Sequence, residues 1–232
     1  MRLTGGETVV ECLIRNGVPY LVGIPGHGCL GLADALRNYE GRIQLLQVRH
    51  EQSAVHLADG YYRVAGVPLA VFTSIGPGAM NTVVGVASCY VDSIPVLVLT
   101  GNTHTYMSGR GVLQEIERKR DSDSLSVFQP ITKRVWQTTR VDQLPRILQR
   151  AFSEMLSGRQ GPVVIDLPMD VQCDSADVEV DDLGVRPPVG RVLPSPALIE
   201  QAGRLLDRAR RPVLVAGGGF IASQAWDELR GV

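Results

Sequence analysis

Glu51 holds the position in this chain that best suits chemistry. It follows residues 43–48, a short apolar run that reads as a buried strand. It precedes a helix marked by Ala54, Val55, Ala58, Tyr61 and Tyr62 at helical spacing. A carboxylate there lies at the carboxyl end of a strand, where open α/β sheets bind ligands. The simpler reading is that Glu51 complements the positive end of the helix dipole, and position alone favours it, because acids are common in first helical turns. Pro25-Gly26-His27-Gly28 places a histidine in a bend poor in side chains, just after another strand. Imidazole there is open to a ligand and suited to proton transfer; the alternative is an ordinary surface-loop histidine. Gly76-Pro77-Gly78-Ala79-Met80-Asn81 joins a strand to a helix, where backbone N–H groups can meet an anion or a polar ring. It has neither the glycine spacing of a dinucleotide fingerprint nor the Gly-Lys-Ser/Thr ending of a P-loop, so the alternative is a turn that needs positive φ. His50, His56 and His104 have no metal-ligand spacing with any acid, and no metal ligands are expected. There is no Gly-x-Ser-x-Gly elbow and no convincing Cys/His pair.

The elements that must position these residues alternate. Thr4-Gly5-Gly6-Glu7 has the form of a capping box and opens a helix with Val9, Val10, Leu13 and Ile14 on one face, ending near Asn16-Gly17. Strands are expected at residues 20–23, 43–48, 67–74, 94–100, 133–138 and 162–167, with helices between most of them. That alternation predicts a doubly wound α/β fold, a parallel sheet of about six strands flanked by helices. Residues 102–130 break the rhythm, being polar and without a period, and a span of that kind is usually functional or mobile. The expected organisation is one domain over 1–173, an acidic then Pro-rich linker over 174–194, and the start of a second α/β domain over 195–232. That start comprises a helix from 195 to 209, a strand at 212–216 and the turn Gly217-Gly218-Gly219. One strand cannot close a core, so the chain is expected to be truncated.

Composition narrows the function. The 232 residues are 44% hydrophobic and 20% charged, with a formal net charge of −1. Nothing in that balance favours nucleic acid or acidic lipid as a partner, and Arg118-Lys119-Arg120 reads as a solvated loop. The four cysteines (Cys12, Cys29, Cys89, Cys173) are far apart, which suits buried thiols of a reducing compartment and argues against disulfides or zinc. Without a leader-like start or an apolar run near 18 residues, neither secretion nor membrane insertion is expected. A cytoplasmic protein is the expectation.

Together the motifs are more specific. Gly23-Ile24-Pro25-Gly26, Arg49-His50-Glu51-Gln52 with Ala58-Asp59-Gly60-Tyr61, Gly76 to Asn81, Asp92-Ser93-Ile94-Pro95 and the run 161–168 follow one another in the order of one family. Residues 3 to about 172 resemble the N-terminal pyrimidine-binding domain of thiamine-diphosphate enzymes of the acetolactate synthase type. The resemblance implies that Glu51 hydrogen-bonds N1′ of the coenzyme's aminopyrimidine and governs its protonation. It further implies that Pro25, Gly26, Ser74, Pro77 and Asn81 line the cofactor pocket, and that Gln114 and His27 face the substrate. The coenzyme supplies the carbanion chemistry and the protein supplies orientation and proton control.

The implied substrate is a 2-keto acid, with C–C bonds formed or cleaved. The implied assembly is a homodimer or homotetramer, because the family builds its site between subunits. Mg²⁺ and the diphosphate would be held by a C-terminal domain whose Gly-Asp-Gly…Asn motif does not occur here, so this portion alone should bind coenzyme weakly or not at all. Whether a flavin (FAD) occupies the central domain, as in some relatives, stays open. His27 departs from the second glycine usual in acetolactate synthases. The Gly-His-Gly bend, Ser74 to Gly78, Val112-Leu113-Gln114 and the stretch 167–172 are also similar to the trihydroxycyclohexanedione hydrolases. Cyclic diketone hydrolysis and 2-keto acid decarboxylation therefore remain alternatives, as does a non-catalytic module that keeps only the fold.

Overall fold

The computed structural model describes residues 1–118, 123–184 and 193–231; Lys119, Arg120 and most of the expected Pro-rich stretch lie outside them. Internal contacts divide the chain into two units, Met1–Arg186 and Pro187–Val232.

In the first unit, β1 (Arg2–Thr4) leads into α1 (Gly5–Arg15). The capping box forms as the sequence predicts: Glu7 N donates to Thr4 Oγ1 at 3.1 Å, and Thr4 N donates to Glu7 Oε2 at 2.8 Å. Then follow β2 (Tyr20–Gly23), α2 (Leu30–Ala35), β3 (Gln44–Gln47), α3 (Glu51–Ala65) and β4 (Ala70–Thr73). After β4 come α4 (Pro77–Met80), α5 (Val83–Asp92), β5 (Leu97–Asn102), β6 (Arg134–Gln137), α6 (Leu144–Leu156), β7 (Val163–Pro168), α7 (Met169–Cys173) and β8 (Ser175–Asp177).

Six of these strands pair in parallel in the order β3-β2-β4-β5-β7-β6. This is the expected doubly wound α/β sheet. β4, β5 and β7 are central and almost wholly apolar, with Val71, Phe72, Val98, Val164 and Ile165 sealed from solvent, as strands covered on both faces must be. The chain runs outward from β2 to β3, then returns past β2 to begin β4. The direction of winding thus reverses between β2 and β4, and in such sheets the crevice at that reversal is where ligands bind.

Two features depart from expectation. Residues 174–183 do not behave as a free linker: β8 pairs antiparallel with β1, the N-terminal amine donates to the carbonyl of Val178 at 2.8 Å, and Val178 and Leu183 are buried. Their apolar side chains give this acidic stretch a reason to fold back. The described parts of the polar span 102–130 are held by side-chain bonds and by 3-10 turns at Thr105–Met107 and Ser124–Ile131.

In the second unit, α8 (Pro196–Arg208) forms as predicted, and α9 (Gly218–Ser223) and α10 (Trp226–Arg230) follow. The expected strand at 212–216 does not form; the residues carry no regular secondary structure and pair with no ladder. An isolated strand has no partner for its N–H and C=O groups, so sequence preference alone does not make one.

Candidate active site

Two turns face each other across the reversal point. The first follows β2 and carries Pro25, Gly26, His27 and Gly28; the second follows β4 and carries Ser74 to Gly78. Ser74 joins them, its Oγ accepting the N–H of Gly28 at 3.2 Å. A Cβ on Gly26 would lie 2.7 Å from that same Oγ, so only glycine lets the two turns approach this closely. Gln172 braces the first turn from below: its buried amide donates to the carbonyls of Gly28 at 2.6 Å and Leu167 at 2.7 Å, and its oxygen accepts Leu32 N at 3.1 Å.

In the second turn Gly76 adopts φ +58, and Pro77 opens α4, where its missing N–H is harmless. A Cβ on Gly76 would lie 2.0 Å from the carbonyl oxygen of Gln114. The loop carrying Gln114 therefore rests directly on the turn.

Glu51 opens α3 at the positive end of its dipole, with His50 as cap through a 3.2 Å bond from Gln52 N to its Nδ1. The Glu51 carboxylate reaches across to the second turn. Oε2 accepts from Asn81 Nδ2 at 2.9 Å, and Oε1 lies 3.3 Å from where a Cβ on Gly78 would be. Three loops from β2, β3 and β4 thus bring Gly26, Ser74, Gly78, Glu51 and Asn81 into one continuous surface. Glu51 is half-buried and Asn81 exposed, so the carboxylate keeps an open side on which a partly polar ring could be held. Glycines beside it leave room that any side chain would fill.

Pro25, His27 and Gln114 are exposed at the rim. Among the described residues no hydrogen bond links His27 to Glu51, Asn81 or Gln114.

Beneath the second turn lies a cavity of about 20 Å³ lined by Gly76, Met80, Thr100, Asn102, Glu117 and Asp166, among others, room for one water. Asp166 is 1% exposed. Burial pushes its carboxyl up to about 6, against hydrogen bonds from Asn102 and Thr100 that favour the charged form. Those bonds are 3.0 and 2.9 Å long. Sequence reasoning passed over Asp166 and Gln172. An acid inside the apolar run Val163-Val164-Ile165-Asp166-Leu167 was a visible signal, whereas Gln172 gave none, since an amide in a short helix is most often solvated.

A doubly wound α/β domain with one carboxylate reaching across its switch point and glycines on both sides is the kind of domain that binds ligands at that crevice. Residues 3–123 match the family described as "Thiamine pyrophosphate enzyme, N-terminal TPP binding domain", and the chain belongs to that family. It is similar to the probable acetolactate synthase large subunit of Methanocaldococcus jannaschii, 38% identical over 234 residues that cover 98% of this chain and 38% of that protein. It is also similar to the acetolactate synthase of Arthrospira platensis (39% identical, covering 98% and 39%) and to isozyme 3 large subunit of Escherichia coli (35%, covering 98% and 39%). The chain therefore spans about two-fifths of the length of the curated relatives it matches. Among the described residues no helix is long and apolar enough to cross a membrane.

Proposed function

We propose that the full protein uses thiamine diphosphate to form or cleave carbon–carbon bonds on 2-keto acids, in the manner of the acetolactate synthases. The observation that carries this is the Glu51–Asn81 pair, held at 2.9 Å across the reversal point of the sheet. When bound, the coenzyme supplies stabilisation of the carbanion formed from the keto acid. Glu51 offers a carboxylate to a ring nitrogen and holds or releases one proton there. Asn81 fixes which carboxylate oxygen stays free. Gly26 and Gly78 leave the faces of the ring open, Ser74 and Pro77 set the spacing of the two turns, and Pro25 and Gln114 border the opening on the substrate side.

The diphosphate and its Mg²⁺ are assigned to a further domain of the full protein, since the Gly-Asp-Gly…Asn motif that the resemblance implies for them does not occur in these 232 residues. A homodimer or homotetramer completes the pocket. In support, α3 and α5, which flank the site, leave Leu57, Val64, Val84 and Val91 exposed, and such apolar patches mark interfaces. Sedimentation of the full protein tests the assembly, and its visible spectrum tests for FAD.

Glu51→Gln in the full protein is expected to lower turnover of pyruvate by about 10²- to 10⁴-fold, the range for a positioned proton-transfer group, with unfolding shifted by less than about 0.5 kcal/mol. Near-normal turnover would refute the assignment. His27, exposed in the bend beside Gly26, keeps cyclic diketone hydrolysis and simple decarboxylation as second readings. If His27→Gly changes neither rate nor product with pyruvate or a cyclic diketone, the histidine has no proton role.

A further inference from the structure

The loop that brings Gln114 onto the second turn has little reason of its own to hold a shape. Residues 108–111 are Ser, Gly, Arg and Gly, three conformations with positive φ occur within five residues (Gly109 at 79, Gly111 at 69, Leu113 at 53), and a leucine in that region is disfavoured by its Cβ. Yet the carbonyl of Gln114 packs where a Cβ of Gly76 would be. What opposes the strain is Glu115. Its side chain is turned inward at 4% exposure, Oε1 accepts the N–H of Gly109 at 2.5 Å, and Oε2 accepts that of Gly111 at 2.7 Å. Its backbone closes the same turn through Glu115 N to Val112 O at 3.1 Å, and its carbonyl accepts from Arg118 Nε at 3.2 Å. Charge-assisted bonds of this kind are about twice as strong as neutral ones, and strained backbone persists only where its surroundings over-determine it.

We infer that Glu115 is a positioning residue. Its carboxylate staples two glycine amides, forces Leu113 into the left-handed conformation, and thereby sets Gln114 against the Gly76–Pro77 turn with its side chain outward. The inference rests on the proposed function in one respect, that Gln114 faces the substrate. Glu115 itself does not touch the reacting atoms. A glutamine cannot replace it, because the amide offers one acceptor and sets an NH₂ group against the second backbone N–H.

The test uses the full protein with Glu115→Gln, followed by hydrogen exchange of backbone amides and by steady-state kinetics with pyruvate. At least one of the amides of Gly109 and Gly111 should exchange about tenfold faster, as expected for one lost hydrogen bond to a charged group, while protection in β4 and β5 is unchanged. The KM for pyruvate should rise about tenfold with a smaller change in kcat, since the loop borders the substrate and not the coenzyme. Unchanged exchange at the two glycines would overturn the staple. Faster exchange with an unchanged KM would overturn its positioning role and leave the proposed function intact. Exchange needs no turnover, so that arm decides the matter even where pyruvate is the wrong substrate. If Glu115→Gln loses protection in the strands as well, Gly111→Ala replaces it. That change keeps the carboxylate but puts a Cβ at φ +69, and it should raise KM in the same way; an unmoved KM would overturn the inference.

Discussion

Two glycine turns in this chain look alike on paper and differ in the fold. Gly76-Pro77-Gly78 and Gly217-Gly218-Gly219 both read as turns, and each runs into the start of a helix. In the first unit the turn has close neighbours on several sides. Gly76 has positive φ and Gln114 on top of it, Ser74 ties the turn to its counterpart after β2, and Gly78 lies against Glu51. In the second unit a Cβ on any of Gly217, Gly218 or Gly219 would meet nothing within 4 Å. The difference lies in what surrounds them. The first turn ends a strand fixed between two others, whereas no ladder forms at 212–216 to hold the other. Glycine grants freedom, and a function needs that freedom used up by neighbours.

This comparison can be broken most directly at Gly76. Gly76→Ala should destabilise the first unit by about 3 kcal/mol or more, combining backbone strain with an overlap against a carbonyl that cannot move freely; denaturant unfolding of the full protein measures it. A mild effect would mean that the turn is no more constrained than its counterpart.

Asp166, beneath the same turn, gives the next largest effect. Its carboxyl is raised from 3.8 to about 6 by burial. The folded state therefore binds the proton more tightly, so the contribution to stability is full below 3.8 and lost as pH rises through about 6. Asp166→Asn should flatten that dependence, removing a pH-linked change of about 3 kcal/mol between the two limits, one pKa unit corresponding to about 1.4 kcal/mol. Unfolding midpoints measured across this range check it, and an unchanged slope would show that Asp166 titrates normally.

Asn81→Ala sharpens the functional side of the comparison. Removing the bond to Glu51 should lower turnover about tenfold, as for a single hydrogen bond to a charged group. Stability should barely change, since Asn81 is exposed. Gly218→Ala is the smallest: stability should stay within about 0.5 kcal/mol or improve slightly, because alanine is the better helix former.

Much of this was legible in the sequence. The six strands and the capping box of α1 follow from short apolar runs and a Ser/Thr-x-x-Glu pattern. These are local signals, and the packing agreed with them. What could not be read were bonds between residues far apart in the chain. Gln172 on Gly28 spans 144 positions, and the pairing of β1 with β8 joins the first residues to a stretch that composition marks as linker. Charge and proline content describe how a segment meets water, and they do not say whether a few apolar side chains within it will find a core. The strand expected at 212–216 failed for the complementary reason, since β preference is a preference for neighbours.

The amino-acid order by itself determined the alternation of strands and helices and the types of residue available at each strand end, because periodicity and chain stiffness act over a few residues at a time. Only the tertiary structure decided which of those ends meet. The winding direction reverses between β2 and β4, and that reversal brings Ser74 to Gly28, Glu51 to Asn81 and Gln114 to Gly76 at separations that hydrogen bonding and van der Waals contact can use.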